Sequence, residues 1–498
     1  MPPSSIAIIG GGIAGLSSAF YLSRRFPQAA ITLFEKSSRE GGWINSRRVD
    51  VKDGHGNRAQ MLLEAGPRTL RSNSGAVLEL INLLDLRSSL ITTPKTSPAA
   101  KHQFLQIPGR PGLTRLPSSL FSLLSLPYAS SALVPSILLE AVRPSNKPKG
   151  QDDESLGAFL TRRFGAKFER LFGSALVHGI YAADSRMLST KAAFPMLLEA
   201  EKRGNGSLVW GMLRGREKVG LFAGYDVGEV RTLVDNASIF SFFDGMESIP
   251  KALKSYLNTA QNVTIKTGVD VNGLRPTTNS EDIEVILGNG ETLNASHVVS
   301  AIPLPELSKL TSSAPADVLP HLKANPLSSV TVINVVFPPS TRPIHPLGFG
   351  YLVPRPAGGY AVPSSGFLGT VFDSCALAAQ DTGASGFTKL TVMLGGPHLL
   401  TQAHTRMENV LAQLQHHLAP INHLQKGARL PWPVYYEATE HKACIPLLTV
   451  GHVGRMNEMK AALKGGPWKG RLEVVGAGVG GVSVGDCVEA GRNVGKDW

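Results

Sequence analysis

The stretch Ser5-Ile6-Ala7-Ile8-Ile9-Gly10-Gly11-Gly12-Ile13-Ala14-Gly15 decides the fold. Its first five residues carry no charge and read as a strand buried on both faces. The glycines follow without a gap, and Gly10, Gly12 and Gly15 fall at the spacing G-x-G-x-x-G. Each has its own task. Gly10 makes the tight turn, Gly12 lets a pyrophosphate approach the backbone, and Gly15 lets helix pack on strand. Residues 16–26, LSSAFYLSRRF, continue with helical apolar spacing, so the helix start offers unpaired N–H groups to the phosphates. Ala30-Ile31-Thr32-Leu33-Phe34 is a second strand, and Glu35 at its end is placed to accept ribose hydroxyls. The glycine pattern alone is weak in a chain with 52 glycines. In the order strand, glycines, helix, strand, acid it specifies a dinucleotide site.

Further along, Gly41-Gly42-Trp43 brings a second glycine pair close to the same ligand, which favours FAD over NAD. At the far end, Leu472-Glu473-Val474-Val475 reads as a strand before Gly476-Ala477-Gly478-Val479-Gly480-Gly481. Only 17 residues follow that loop, too few for a second nucleotide domain. The strand is therefore expected to rejoin the N-terminal fold. A helix from about Val482 through Cys487 and Ala490 then points its N-terminus at the cofactor. Between the ends, 263–266, 283–287, 292–293 and 297–302 read as strands, with Gly288-Asn289-Gly290 as a hairpin turn. Val330 through Phe337 and Lys389 through Leu394 read as the floor of a second sheet. The fold class is α/β, with three parts. A discontinuous Rossmann-like FAD-binding domain takes 1–90, 235–305 and 445–498. A helical membrane-binding insert takes 94–234, and a sheet-based substrate domain takes 306–444.

The 498 residues are 42% apolar and 18% charged, which excludes a disordered chain. Cys375, Cys444 and Cys487 lie far apart, which excludes a disulfide scaffold or zinc ribbon, and no metal site is expected. No uncharged apolar run reaches the ~20 residues of a membrane-spanning helix without a proline. Neither a secretory signal nor a cleavable presequence is read before the first strand. The net charge is +12, and half of it lies between Pro94 and Gly150. There Lys95, Lys101, Arg110, Arg115, Arg143, Lys147 and Lys149 accompany one acid, Glu140. Within that segment residues 116–142, LPSSLFSLLSLPYASSALVPSILLEAV, are apolar and interrupted by Pro117, Pro127 and Pro135. Prolines at that spacing predict short helical pieces rather than one long helix. Apolar broken helices with basic flanks predict an element lying on an anionic membrane surface. No interleaving of aromatic and basic residues points to nucleic acid.

Several other segments carry a resemblance. Glu64-Ala65-Gly66-Pro67-Arg68 follows the Gly-Gly-Trp turn, and Gly179-Ile180-Tyr181-Ala182-Ala183-Asp184 precedes Leu188-Ser189 and Ala193-Phe194-Pro195. Residues 243–250 read FDGMESIP, 348–354 GFGYLVP, 391–396 TVMLGG and 481–492 GVSVGDCVEAGR. In this order they resemble the flavin amine oxidase superfamily, and within it the oxygen-dependent protoporphyrinogen oxidases, over most of the chain. The topology implied is shared by flavin amine oxidases and p-hydroxybenzoate hydroxylase.

The resemblance implies the penultimate step of heme synthesis. Protoporphyrinogen IX loses six electrons in three two-electron steps to non-covalent FAD, and oxygen is reduced to hydrogen peroxide. Hydride transfer is the cofactor's chemistry, so no side chain is assigned as catalytic, and the protein orients a flat apolar macrocycle. By resemblance Phe349, Leu352, Met393, Ala182 and Gly179 line the substrate slot. By the same resemblance FAD is contacted by Gly10, Gly11, Gly12, Ile13, Ala14, Gly15, Glu35, Lys36, Trp43, Gly66, Pro67, Arg68, Thr69, Val269, Trp432, Ala477, Val482, Ser483 and Val484. The chain departs from the family at three positions. Gln103 and His178 stand where arginine is frequent, and Gly485 where asparagine precedes the aspartate. Glutamine cannot pair ionically with a substrate propionate, which leaves Lys101, His102 and Arg110 as candidate anchors.

The implied partners are protoporphyrinogen IX, molecular oxygen, an anionic membrane surface, a second copy of the chain and ferrochelatase, the next enzyme. The implied location is peripheral, on the intermembrane-space face of the mitochondrial inner membrane. Two rivals stand beside this reading. One is another flavin oxidase or desaturase of the superfamily, acting on a polyamine or carotenoid; net positive charge disfavours a cationic substrate. The other is a non-enzymatic escort protein on the same fold that has lost FAD; the complete glycine set with Glu35 disfavours it.

Overall fold

The computed structural model describes residues 2–117, 127–147 (backbone only for 127–134), 150, 152–215, 222–277, 282–311, 319–341, 343–418 and 429–498. Ser5–Ile9 is the central strand of a five-stranded parallel sheet. The order is Leu472–Val474, His297–Ser300, Ser5–Ile9, Ala30–Glu35, Val263–Thr267. Its uninterrupted apolar run has a direct cause. Ile6 and Ile8 enter one core with the helix Ile13–Arg25, while Ala7 and Ile9 enter a second with the antiparallel sheet of 271–295. Both faces are covered, as parallel sheets require. The final helix, Val484–Asn493, returns to pack on Ile13–Arg25. The two lie so close that a Cβ on Gly491 would stand 2.8 Å from Ser18 N.

The second sheet has seven strands, ordered Tyr435–Pro446, Leu327–Phe337, Thr388–Gly395, Phe367–Val371, Gly350–Leu352, Gln103–Leu105, Thr114–Arg115. It is wider than the 306–444 segment expected for it. Gln103–Leu105 joins from within 94–234, parallel to Gly350–Leu352. Strands of two or three residues hold no period to read, so this recruitment leaves no local signal.

The apolar stretch before Arg143 also differs from expectation. Pro127–Val142 is one 16-residue helix and not a set of short pieces. Pro127 occupies its first position, where a missing N–H is harmless, and Pro135 is absorbed inside the helix at the loss of one backbone hydrogen bond. The rest of that stretch, 118–126, and Lys149 lie outside the described residues. Among the described residues no helix is long and apolar enough to cross a membrane.

Near its end this helix carries the fully buried Glu140, which accepts from Arg163 Nε at 2.7 Å. The same carboxylate accepts from Ser207 Oγ at 2.9 Å and from the amides of Leu208 at 2.7 Å and Val209 at 3.0 Å. It therefore ties the start of the helix Leu208–Leu213 to Leu156–Phe164. Burial pushes its carboxyl up, but these bonds together hold it below the usual carboxylate range.

Candidate functional site

Three chain segments converge on the first helix. Gly10 has φ +99°, and its amide donates to Phe34 O at 2.8 Å. Gly15 sits so close to this turn that a Cβ would stand 1.9 Å from Gly10 O. Gly12 is different: within 4 Å a Cβ there would meet only Gly42 Cα, at 3.9 Å, so that side of the loop is open. The helix Ile13–Arg25 begins with neither a side-chain cap nor an acidic first turn, which suits an anion.

Glu35 closes the nucleotide end. Oε2 accepts from Gly11 N at 2.7 Å and Oε1 from Ser37 N at 2.8 Å. Its carbonyl accepts from Val269 N at 3.0 Å, which places Val269 beside it, with Lys36 exposed next in the chain.

The Gly41-Gly42-Trp43 turn crosses the glycine loop, Gly41 N donating to Gly11 O at 2.8 Å. Arg39 fixes the turn by donating to the carbonyls of Gly42 at 2.7 Å and Ile44 at 3.0 Å. Gly66 packs against it so tightly that a Cβ would stand 2.1 Å from Trp43 O. Trp43 is 45% exposed, and His441 meets its ring edge-on at 5.2 Å while hydrogen-bonding Ala65 O at 2.7 Å through Nε2. Sequence reasoning missed His441, since nothing local links it to residues almost 400 positions earlier.

At the chain's end Ser483 caps the last helix, and Asp486 Oδ2 accepts from the amides of Val482 at 3.0 Å and Ser483 at 2.9 Å. The loop carrying Ala477 meets the first helix, since a Cβ on Gly476 would stand 3.6 Å from that of Ala14. The departure at Gly485 has a local cause. A Cβ there would stand 2.9 Å from Ser74 Oγ, so a longer side chain needs that serine to move. Trp432 stands apart. It is 54% exposed and touches Tyr436 edge-on at 6.5 Å. Among the described residues no hydrogen bond or ring contact ties it to the glycine loops.

These features fit FAD. Gly12 leaves room for a pyrophosphate over the helix start, Glu35 lies at the end of the second strand where a ribose is expected, and Gly66 holds Trp43 beside the same loop. Arg68 faces the other way. It is buried and pairs with Asp373 at 3.3 Å, and Asp373 also accepts from Thr391 Oγ1 at 2.6 Å. Asn334 completes the link by donating to Glu64 O at 3.1 Å. The cofactor loops are thus bolted to the second sheet.

That sheet carries several of the residues expected to line the slot. Leu352, Gly369, Met393 and Val332 lie opposite one another across successive strands, so they share one face. Ala182, at φ +48°, ends the helix Ser174–Tyr181 and packs with Val330, Val332 and Leu368, with Met393 against them. Gly179 backs Leu352, since a Cβ there would stand 2.8 Å from Leu352 Cδ2. Leu352, Met393, Ala182 and Gly179 are therefore brought together. Phe349 packs separately, with Ala99, Ile239, Ala376 and Leu377. Of the candidate anchors, Lys101 and Arg110 are exposed, and His102 Nδ1 is hydrogen-bonded to Leu347 O at 3.0 Å.

His178 is buried, with Nδ1 hydrogen-bonded to Val353 O at 2.6 Å and Nε2 to the Tyr360 hydroxyl at 2.8 Å. Burial pushes its imidazole down to about 4, and does the same to His398, at about 4, and His417, at about 3. The unfolded chain takes up these protons near pH 6.5. Between pH 6.5 and 4 the unfolded state therefore binds more protons than the folded one, and stability falls as acid is added. A urea midpoint that drops steeply from pH 6.5 to 4.5 is expected. A flat profile over that range contradicts three neutral buried imidazoles.

Comparison with known proteins agrees with this geometry. The model of the flavin containing amine oxidoreductase family matches residues 13–495. The chain is 33% identical to the protoporphyrinogen oxidase of Schizosaccharomyces pombe, over 99% of this chain and 98% of that one. It is 32% identical to the protoporphyrinogen oxidase of Homo sapiens, over 98% and 97% respectively. A crystal structure of a protein from Exiguobacterium sp. 255-15 shares the fold with a TM-score of 0.74 at 22% identity, covering 98% of this chain and 97% of that one. The chain belongs to the flavin containing amine oxidoreductase family.

Proposed function

We propose that this chain oxidises protoporphyrinogen IX to protoporphyrin IX, with FAD as cofactor and oxygen as final acceptor. One observation carries the reading. Leu352 and Met393 lie on one face of the sheet that Arg68 and Asp373 join to the glycine loops, and Ala182 packs against that face, where we place an apolar slot. A flat apolar ring suits such a slot, and the thioether of Met393 is soft enough to pack on a π-system. FAD supplies the hydride acceptor. Each step removes one hydride and one proton from the ring and reduces one oxygen to hydrogen peroxide, so six hydrogens leave in three steps. The chain's own part is to hold the ring, exclude water and keep the slot rigid.

The test is direct. Fluorescence of protoporphyrin should grow when the yellow holoenzyme meets protoporphyrinogen in air, with three peroxides per product, and spermine should give no peroxide. A flavin-loaded protein that leaves protoporphyrinogen at its background rate overturns the reading. A preparation that binds no flavin favours the escort alternative.

We also propose peripheral attachment to an anionic membrane, the mitochondrial inner membrane on its intermembrane-space face. Leu138, Leu139, Val142, Trp210, Met212 and Leu213 are all exposed. Trp210 Nε1 donates to Ala141 O at 3.1 Å, so the two helix ends that carry them form one surface. Exposed apolar groups beside Arg143 and Arg214 suit a headgroup layer. Replacing Lys95, Lys101, Arg110, Arg115, Arg143, Lys147 and Lys149 by glutamine is expected to release the protein from cardiolipin vesicles. Unchanged co-sedimentation refutes the surface. The reading extends to a homodimer and to delivery of product to ferrochelatase, which sedimentation and pull-down respectively test.

A further inference from the structure

The outermost strand of the second sheet, Tyr435–Pro446, pairs with Leu327–Phe337. Residues opposite one another on antiparallel strands put their side chains on one face. Thr439 lies opposite Val332, and Val332 opposite Met393, so the row Leu352, Gly369, Met393, Val332 extends to Thr439. His441 comes two residues later, opposite Val330, and so stands on the same face. Val330 itself packs with Ala182, Val332 and Leu368, with Met393 against them.

The half-buried ring of His441 grips two segments of the cofactor site at once. Nε2 lies 2.7 Å from Ala65 O, and a carbonyl only accepts, so Nε2 is the donor. The ring meets Trp43 edge-on at 5.2 Å and 84°. Ala65 is held from its other side as well, its amide donating to Asn45 O at 3.0 Å. Four residues back along the strand, Glu437 pairs with Arg47 at 2.5 Å. Asn334, opposite Glu437, donates to Glu64 O at 3.1 Å. The segments around Trp43 and Ala65 therefore meet the face that carries Leu352 and Met393 at two levels.

Just past His441 the strand loses register. Lys442, Ala443 and Cys444 stand against the single residue Ser329 before pairing resumes at Ile445. Ala443 has φ +49°, a conformation alanine seldom adopts, and its amide donates to Ser329 Oγ at 2.9 Å. Bulges re-aim neighbouring side chains and are frequent next to active sites. Here Cys444 and Ile445 pack on the cluster of Ala182, Val330, Val332 and Leu368. The short run from His441 to Ile445 thus joins the cofactor turn to the residues expected to line the slot.

We propose that His441 is a positioning residue for the oxidation, an inference that rests on the porphyrinogen reading. By holding Trp43 and Ala65 on the face that carries Leu352 and Met393, it fixes the distance between the cofactor loops and the ring of the substrate. In each step a hydride leaves that ring for FAD and a proton leaves it for water. Hydride transfer needs the reacting atoms about 3–3.5 Å apart, and a displacement near 1 Å costs on the order of a hundredfold in rate. The hydrogen bond sets the distance more firmly than the ring contact does. A donor and acceptor 2.7 Å apart are fixed in length and direction, whereas an edge-on contact at 5.2 Å tolerates sliding.

The test compares His441→Gln, which keeps an N–H donor, His441→Phe, which keeps a ring, and His441→Ala, which keeps neither. Each flavin-loaded variant is mixed with protoporphyrinogen in the absence of air, and flavin bleaching is followed against substrate concentration. Release of FAD on dilution is followed separately by its fluorescence. His441→Ala should bleach about ten- to a hundredfold more slowly at saturating substrate, with half-saturation within about threefold of wild type. It should also release FAD several-fold faster. His441→Gln should recover both rates to within about threefold, and His441→Phe should stay close to the alanine variant. An unchanged saturating rate in His441→Ala, or a glutamine variant as slow as the alanine one, overturns the positioning role. If His441→Ala holds no flavin, the order of the glutamine and phenylalanine variants decides. Wild type that protoporphyrinogen does not bleach overturns the functional reading instead. FAD release needs no substrate, and equal release from wild type and His441→Phe then overturns the grip of His441 on the turn.

Discussion

Gly15→Ala yields a protein without its yellow colour. The added Cβ would stand 1.9 Å from Gly10 O, a backbone atom, so no flexible side chain can swing aside to admit it. Helix and turn must part by more than 1 Å to restore ordinary contact, which is well beyond the 1–3 kcal/mol usual for overpacking in a core. That shift displaces the helix start from the pyrophosphate and Gly11 from Glu35, so bound flavin should fall at least tenfold. Gly12→Ala separates space from fold. Its Cβ clears every atom but Gly42 Cα, so the protein should fold with a normal circular dichroism spectrum. It should still lose flavin affinity, because the methyl group fills the open side of the cradle. Flavin absorbance against protein concentration reads both variants. Full flavin content in Gly15→Ala would falsify the tight-turn geometry.

Glu140→Ala is the second large effect, and it falls far from the cofactor. The substitution takes the closest carboxylate from Arg163, itself without solvent exposure, leaving Glu201 at 3.9 Å, and removes the acceptor of Ser207, Leu208 and Val209. Losing one partner of a buried ion pair costs about 3–5 kcal/mol. The helix ends bearing Leu138, Leu139, Trp210 and Met212 would separate. Chemical denaturation should show the loss, and vesicle binding should fail while the flavin spectrum stays intact. The double variant Glu140→Leu, Arg163→Met should recover part of the stability, because it removes both charges together. A single variant within 1 kcal/mol of wild type sinks the proposed clamp.

How far the sequence is legible depends on the range of the signal. The glycine loop, the strands 5–9 and 30–35 and the last helix are all written in contiguous residues, and the structure places them together. Strands 330–337 and 389–394 carry enough β-branched residues to be recognised, and they pair as neighbours. The continuous helix through Pro135 was not legible, because a proline's cost is local and the tertiary contacts that outweigh it are not. The same holds for Asp373 opposite Arg68 and His441 beside Trp43. Both pairs join residues more than 300 positions apart, and neither member differs from an ordinary surface residue until the chain folds. Gly179 shows an intermediate case. Resemblance assigns it to the slot, and the fold sets it directly behind Leu352, where a Cβ would stand 2.8 Å from Cδ2.

The position of the last strand has a consequence for how the protein is made. Ser5–Ile9 is made almost 300 residues before its neighbour His297–Ser300, and Leu472–Val474 joins the sheet more than 460 residues after it. At roughly 5–20 residues per second the apolar first strand waits about 15–60 s for its first distant neighbour and about 24–95 s for the sheet edge. Nascent chains therefore expose an apolar strand with one edge unpaired for that time, and holding chaperones should be found on them. A nonsense codon at 470 should be as damaging as one at 50, since neither product can complete the nucleotide cradle.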